Sequence, residues 1–141
     1  MKIVVAPDSF KECLSATEVA EAISEGLLKV IPDAEIIKLP IADGGEGTTE
    51  ALVNATNGSY FFANIRGPLG HKHKARWGIL GNQHTAAIEV AAACGLDSVP
   101  IKQRDPLLST SYGVGELIIE ALNHGAKKII LGLGGSATND G

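Results

Sequence analysis

At 141 residues the chain has room for one ordinary domain with a sizeable core. A hydrophobic share of 45% beside 20% charged residues excludes a disordered chain, and a formal net charge of −4 leaves no basic footprint for nucleic acid. No apolar run is long enough for a membrane span, and the opening MKIVVAPDSF is broken too early by Pro7 and Asp8 to be a signal peptide. Cys13 and Cys94 show no metal-like or redox-like pairing, so a reduced, cytoplasmic setting is expected. The 17 glycines gather in DGGEG, RGPLG, SYGVG and GLGG, a distribution of turns and ligand loops rather than of a linker.

In chain order, KIVVA (Lys2 to Ala6) is a β-branched run expected to be a buried strand. A loop, PDSFKECLS, leads to Ser15, which stands in capping-box spacing with Glu18 and opens a helix. Val19, Ile23 and Leu27 mark its expected inner face, and Pro32 stops it. AEIIKLPIA (Ala34 to Ala42) is a second strand, and TTEALVNATNG a second helix closed by Gly58 as C-cap. That β-α-β-α order is the opening of a doubly wound parallel sheet.

The stretch from Ser59 to Ala93 alternates strand and turn, with Gly67-Pro68-Leu69-Gly70 and Gly81-Asn82 as turn signals. It reads as an antiparallel meander. GLDSVPIKQRDP is an irregular return, a helix runs from about Gly115 to a stop at Gly125, and AKKIILGLG is another buried strand. The fold class is therefore α/β: a Rossmann-like, mostly parallel sheet with helices on both faces, plus a meander beginning a smaller α/β domain. Residues 1–60 and 105–141 are assigned to the Rossmann-like domain and 61–104 to the inserted one. The strand entering LGLGGSATNDG predicts a following helix, which makes the chain an N-terminal piece of something longer.

Three strand-to-loop junctions share one design: APDSFK, IADGGEGT and LGLGGSATNDG. If their strands are parallel, all three loops lie on the carboxyl edge of one sheet, where open α/β folds bind ligands. Asp8, Ser9, Lys11, Asp43, Glu46, Ser136, Asn139 and Asp140 would converge there. Glycines allow backbone N–H groups close to anionic oxygens, and a helix N-terminus adds partial positive charge. Carboxylates hold Mg²⁺ or accept a proton, and Lys11 is a point charge for a phosphate or carboxylate. These are the requirements of phosphoryl transfer. Taken singly, DGGEG reads as a turn with solvated acids, and PDSFK as ordinary turn chemistry. No Walker A or Rossmann fingerprint is present. His71 and His73 read as a solvated basic strand, Glu89 as a solvent-facing strand position with a buried functional acid as the lesser alternative, and both cysteines as inert.

The motifs APDSFK…LSA (Ala6 to Ala16), PIADGGEGT (Pro40 to Thr48), RGPLG (Arg66 to Gly70) and GLGGSATNDG (Gly132 to Gly141) together resemble the bacterial glycerate kinases of the glycerate 2-kinase type. The similarity runs over the entire chain and includes AAIEVAAACGL and TSYGVGELI. It departs in one place, where Glu12 and Cys13 replace the usual Gly-Ser. The resemblance implies two α/β domains and transfer of the γ-phosphoryl of ATP to D-glycerate, with 2-phosphoglycerate as the usual product. On that basis Asp43 and Asp140 are expected as metal-holding or base residues and Lys11 as the neutralising cation. Gly44, Gly45, Gly134 and Gly135 would give close backbone approach. Ser136, Thr138 and Asn139 would donate to substrate oxygens, and Asp8, Ser9, Glu46, Gly47 and Thr48 complete the binding set. ATP, Mg²⁺ and a small-molecule substrate are the implied partners, with neither nucleic acid nor membrane expected. The alternatives are a Rossmann-type oxidoreductase of small hydroxy acids and a non-catalytic truncated domain.

Overall fold

Two short β-branched runs and one capped helix account for the first part of the chain. The computed structural model describes residues 1–10 and 13–140, which divide into compact units at 1–43 and 44–141. In the first unit β1 (Lys2–Val5) pairs in parallel with β2 (Glu35–Lys38), Lys2 facing Glu35 and Val5 facing Lys38. The pairing continues past both strands, where Leu39 and Ile41 donate to the carbonyls of Val5 and Pro7. Between the strands runs α1 (Ala16–Val30). Ser15 caps it in a complete capping box: its hydroxyl accepts from the Glu18 N–H at 3.2 Å, and the Glu18 carboxylate accepts from the Ser15 N–H at 2.8 Å. The inner face is Val19, Ala20 and Ser24, with Ile23 exposed, so it is rotated from the expected Val19–Ile23–Leu27 stripe. Ser24 tolerates burial because its hydroxyl donates to the Ala20 carbonyl.

The second unit is built on a four-stranded sheet in the order β3-β4-β5-β6: β3 (Ser59–Arg66), β4 (Lys72–Ile79), β5 (Thr85–Glu89) and β6 (Lys128–Gly132). The first two pairings are antiparallel, and β5 pairs with β6 in parallel. Every β5 residue is buried, so both faces of the sheet are covered there. Successive residues serve opposite faces. Ala86 and Ile88 join a core with Ile65, Trp77, Val114, Leu117 and Ala121, under α3 (Val90–Cys94) and α4 (Tyr112–Asn123). Ala87 faces the other way, against Val53 of α2 (Thr48–Thr56) and Leu80. Trp77 is fully enclosed, stacked on Phe61 at 4.9 Å with the His124 ring at its edge. The fold is mixed α/β, with parallel and antiparallel pairs and helices on both faces of this sheet.

Several expectations need correction. β5 of the meander and β6 share one sheet. β2 stops at Lys38, short of Pro40. The strand expected to run to Ala93 ends at Glu89, and Val90–Cys94 is helical, as a run of alanines permits. Asn57, not Gly58, takes the left-handed position after α2; Gly58 is needed because a Cβ there would lie 2.3 Å from the Ile79 carbonyl oxygen. α4 starts at Tyr112, ahead of Gly115, and β6 is not buried: Ile130 and Leu131 are 41% and 38% exposed. Among the described residues no helix is long and apolar enough to cross a membrane.

The capping box yields a direct test. Hydrogen bonds from Ser15, the backbone one foremost, hold the Glu18 carboxyl below the ordinary glutamate range. Ser15→Ala should lower stability by about 1 kcal/mol in urea denaturation. In an NMR titration the same substitution should move the Glu18 pKa upward, and an unmoved value would show the box to be dispensable.

Candidate functional site

The glycine loops at 44–47 and 132–135 pack backbone against backbone in the second unit. The Gly134 N–H donates to the Gly44 carbonyl at 2.9 Å. A Cβ on Gly132 would lie 2.5 Å from the Gly44 carbonyl oxygen, and one on Gly134 would lie 2.6 Å from the Gly45 Cα. Neither position has room for a side chain. Gly44, Gly47 and Gly135 have φ of +102°, +86° and +74°, the left-handed region that glycine occupies without strain. The first loop is tied internally: Thr48 Oγ1 accepts from the Gly44 N–H at 3.1 Å and donates to the Gly45 carbonyl at 2.8 Å.

The second loop is fastened to the end of α3. The Leu96 N–H donates to the Gly135 carbonyl, and the Ala137 N–H to the Cys94 carbonyl. Ser136 and Thr138 bring their hydroxyls to 3.0 Å of each other, and the Thr138 N–H donates to Ser136 Oγ at 3.1 Å. Among the described residues, the amides of Gly135, Ser136 and Asn139 have no protein acceptor, and all three residues are exposed. Ser136, Thr138 and Asn139 also line a groove of about 760 Å³ whose other wall is apolar, formed by Tyr112, Ile119 and Leu133. Exposed loop amides and hydroxyls are suited to anionic oxygens.

The sequence-predicted residues fall into separate groups. Gly44, Gly45, Glu46, Gly47 and Thr48 are brought to the loop of Gly134, Gly135, Ser136, Thr138, Asn139 and Asp140 in the second unit. Asp8, Ser9 and Asp43 belong to the first unit. There the Asp8 carboxylate accepts from the Ser9 N–H at 2.6 Å. Lys11, and the departure at Glu12, lie outside the described residues. Asp140 accepts from the Ser111 N–H with both oxygens, at 3.0 and 2.9 Å, at the start of α4. That contact explains the early start of the helix, since Ser111 makes no side-chain cap.

The expectation for Glu89 is overturned. It is 7% exposed, not solvent-facing, and closes β5 opposite Gly132 of β6. Its carboxylate accepts from the Thr49 N–H, in the first turn of α2, at 2.6 Å. Thr49 is itself 2% exposed, and among the described residues its hydroxyl has no partner. The available signal was the absence of alternation in TAAIEVAAA: a strand apolar on both sides is covered on both sides. His73 is more engaged than expected of a solvated strand, with Nε2 3.0 Å from the Ala92 carbonyl oxygen. Cys94 is buried and its thiol pushed up by that burial, consistent with an inert role. Among the described residues no group of three or more His, Cys, Asp or Glu side chains is placed to hold a metal.

Three outcomes test this geometry. Gly134→Ala should destabilise the chain by about 1–3 kcal/mol, because Gly45 offers only backbone to yield. Gly115→Ala, in α4 with open space at its Cβ, should stabilise by up to about 1 kcal/mol in the same thermal melts. The Asp140 carboxyl is held below the ordinary aspartate range, chiefly by the Ser111 N–H. Its folded-state pKa being lowered, the contact persists at neutral pH and is lost only as pH falls through that lowered value. The Ser111 amide shift should therefore titrate with a midpoint below the ordinary aspartate value.

The family model described as the glycerate kinase family matches residues 3–141. The glycerate 2-kinase of Escherichia coli (strain K12) is 59% identical over 141 residues, and the glycerate kinase of Bacillus subtilis (strain 168) 56% identical. Each match covers 100% of this chain and 37% of the relative. A solved structure named for glycerate kinase 2 from Salmonella typhimurium LT2 superposes with a TM-score of 0.80 at 58% identity, over 100% of this chain and 38% of that one. The chain spans little more than a third of the length of these relatives. The match of that family model to residues 3–141 places the chain in the glycerate kinase family.

Proposed function

We propose that this chain serves as the corresponding part of a cytoplasmic glycerate kinase that transfers the γ-phosphoryl of ATP to D-glycerate and gives 2-phosphoglycerate. The observation that carries the reading is the junction of the two glycine loops, which gathers exposed amides, hydroxyls and acids from distant parts of the sequence. In the reaction a glycerate hydroxyl oxygen forms a bond to the γ-phosphorus. The bond from that phosphorus to the β,γ-bridging oxygen breaks, ADP leaves, and the hydroxyl proton passes to a carboxylate. The amides of Gly135, Ser136 and Asn139 and the hydroxyls of Ser136 and Thr138 would bind and orient phosphate or carboxylate oxygens. Asp43 and Asp140 are assigned the metal-holding or proton-accepting roles, and Lys11 charge neutralisation.

Mg²⁺ takes one or two carboxylates and leaves the rest of its shell to phosphate oxygens and water, and the exposed carboxylate of Asp140 would be one such ligand. When bound it supplies positive charge against the phosphate oxygens. Asp140 would share its oxygens between that role and the Ser111 N–H, since an ionised carboxylate has lone pairs for both.

The test is made on the longer enzyme carrying this sequence. It should consume ATP only when D-glycerate is present, with the product's phosphate position read by ³¹P NMR. Asp43→Asn and Asp140→Asn should each lower kcat by about 100-fold or more while the thermal melt stays cooperative. Near-normal turnover in both variants would refute the roles. Binding of NAD in place of Mg·ATP would favour an oxidoreductase.

A further inference from the structure

We infer that Glu89 is a positioning residue of the phosphoryl-transfer site, an inference that rests on the kinase reading for its functional half and on geometry alone for its structural half. The contacts described above close into a ring. Glu89, at the end of β5, receives the Thr49 N–H of α2 at 2.6 Å. Thr48, the preceding residue, holds both the Gly44 amide and the Gly45 carbonyl through one hydroxyl. The Gly44 carbonyl receives the Gly134 N–H, and Gly134 follows Gly132, the β6 residue paired with Glu89. The path from Glu89 through α2 and both loops thus returns to the neighbouring strand.

A buried carboxylate is costly unless its charge is answered. Among the described residues Glu89 makes no ion pair, and its only hydrogen bond is to the Thr49 N–H. That bond and the partial positive charge of the first turn of α2 answer the carboxylate. Gly47, the N-cap residue of α2, has no side chain with which to cap it. Glu89 supplies the missing acceptor from another strand, and so fixes where α2 begins and where the 44–47 loop lies against the sheet. It also occupies the anion-attracting end of α2. The binding of transferred phosphate therefore falls to the exposed amides of the 135–139 loop. Glu89 acts on catalysis through the loops, by holding them at a fixed spacing.

The test uses Glu89→Gln, which keeps an acceptor at the same reach, Glu89→Asp, which keeps the charge but shortens the reach, and Glu89→Leu. Amide hydrogen exchange of this chain, read by NMR, is the structural arm. The Asp and Leu variants should speed exchange at the Thr49 and Gly134 amides by about tenfold or more, with the β3–β4 amides unchanged and the Gln variant close to the parent. If the Leu variant does not fold, the Asp and Gln pair carries the comparison. Unchanged Gly134 exchange in the Asp variant, or a Gln variant as fast as it, overturns the inference. In the longer enzyme Glu89→Asp should lower kcat by about tenfold, with KM values for ATP and glycerate held within about twofold and activity restored in Glu89→Gln. A parent enzyme without glycerate-dependent turnover would refute the kinase reading and leave the exchange result standing. A fully active Glu89→Asp in an active parent background overturns the positioning role.

Discussion

The close approach of two backbones, at Gly44–Gly45 and Gly132–Gly134, is the constraint on which the second unit's carboxyl edge depends. Packing at that distance leaves no volume for a Cβ on Gly132 or Gly134. It converts two flexible segments into one surface. Gly134 gives up its amide to the Gly44 carbonyl, while the next two residues turn theirs outward. The same geometry that excludes side chains thereby frees donors for a ligand, and glycine satisfies both demands at once.

Acids carry much of the architecture around that surface. Glu89 and Asp140 each take an N–H at the beginning of a helix, α2 and α4 respectively. Glu18 does the same for α1 within a local box. The three differ in reach: Glu18 acts over three residues, Asp140 from a distant loop, and Glu89 from an adjacent strand. Long-range capping couples each helix start to the loop or strand that supplies the acid. Among the described residues the Thr49 hydroxyl has no partner, a cost of about 1–3 kcal/mol that the surrounding packing absorbs.

Local features were legible in the sequence. The Ser15–Glu18 box, the strand at residues 2–5, the antiparallel pairs through Gly67–Gly70 and Gly81–Asn82, and the stop at Gly125 all follow from chemistry confined to a few residues. So does the list of loops bearing small polar residues. The choices made by partners remote in sequence were not legible. Ile23 has the right spacing for an inner face, yet the helix turns Ala20 and Ser24 inward, a choice set by what packs against it. The true start of α4 depends on Asp140, and the burial of Glu89 on cover over both faces of β5. Sheet membership was beyond local reading as well, since β1–β2 and β5–β6 are both parallel pairs and nothing in either run says which sheet it joins.

β6 has a practical consequence. Its outer edge, among the described residues, offers unbonded peptide groups beside Ile130 and Leu131, with Leu133 just beyond. Such an edge is a template on which a strand from any neighbouring molecule can crystallise into register. Lys127 and Lys128, at its entrance, are the charges that oppose this stacking. Handling the polypeptide at high concentration or high ionic strength therefore works against it, because salt screens those two cations and leaves the greasy edge untouched.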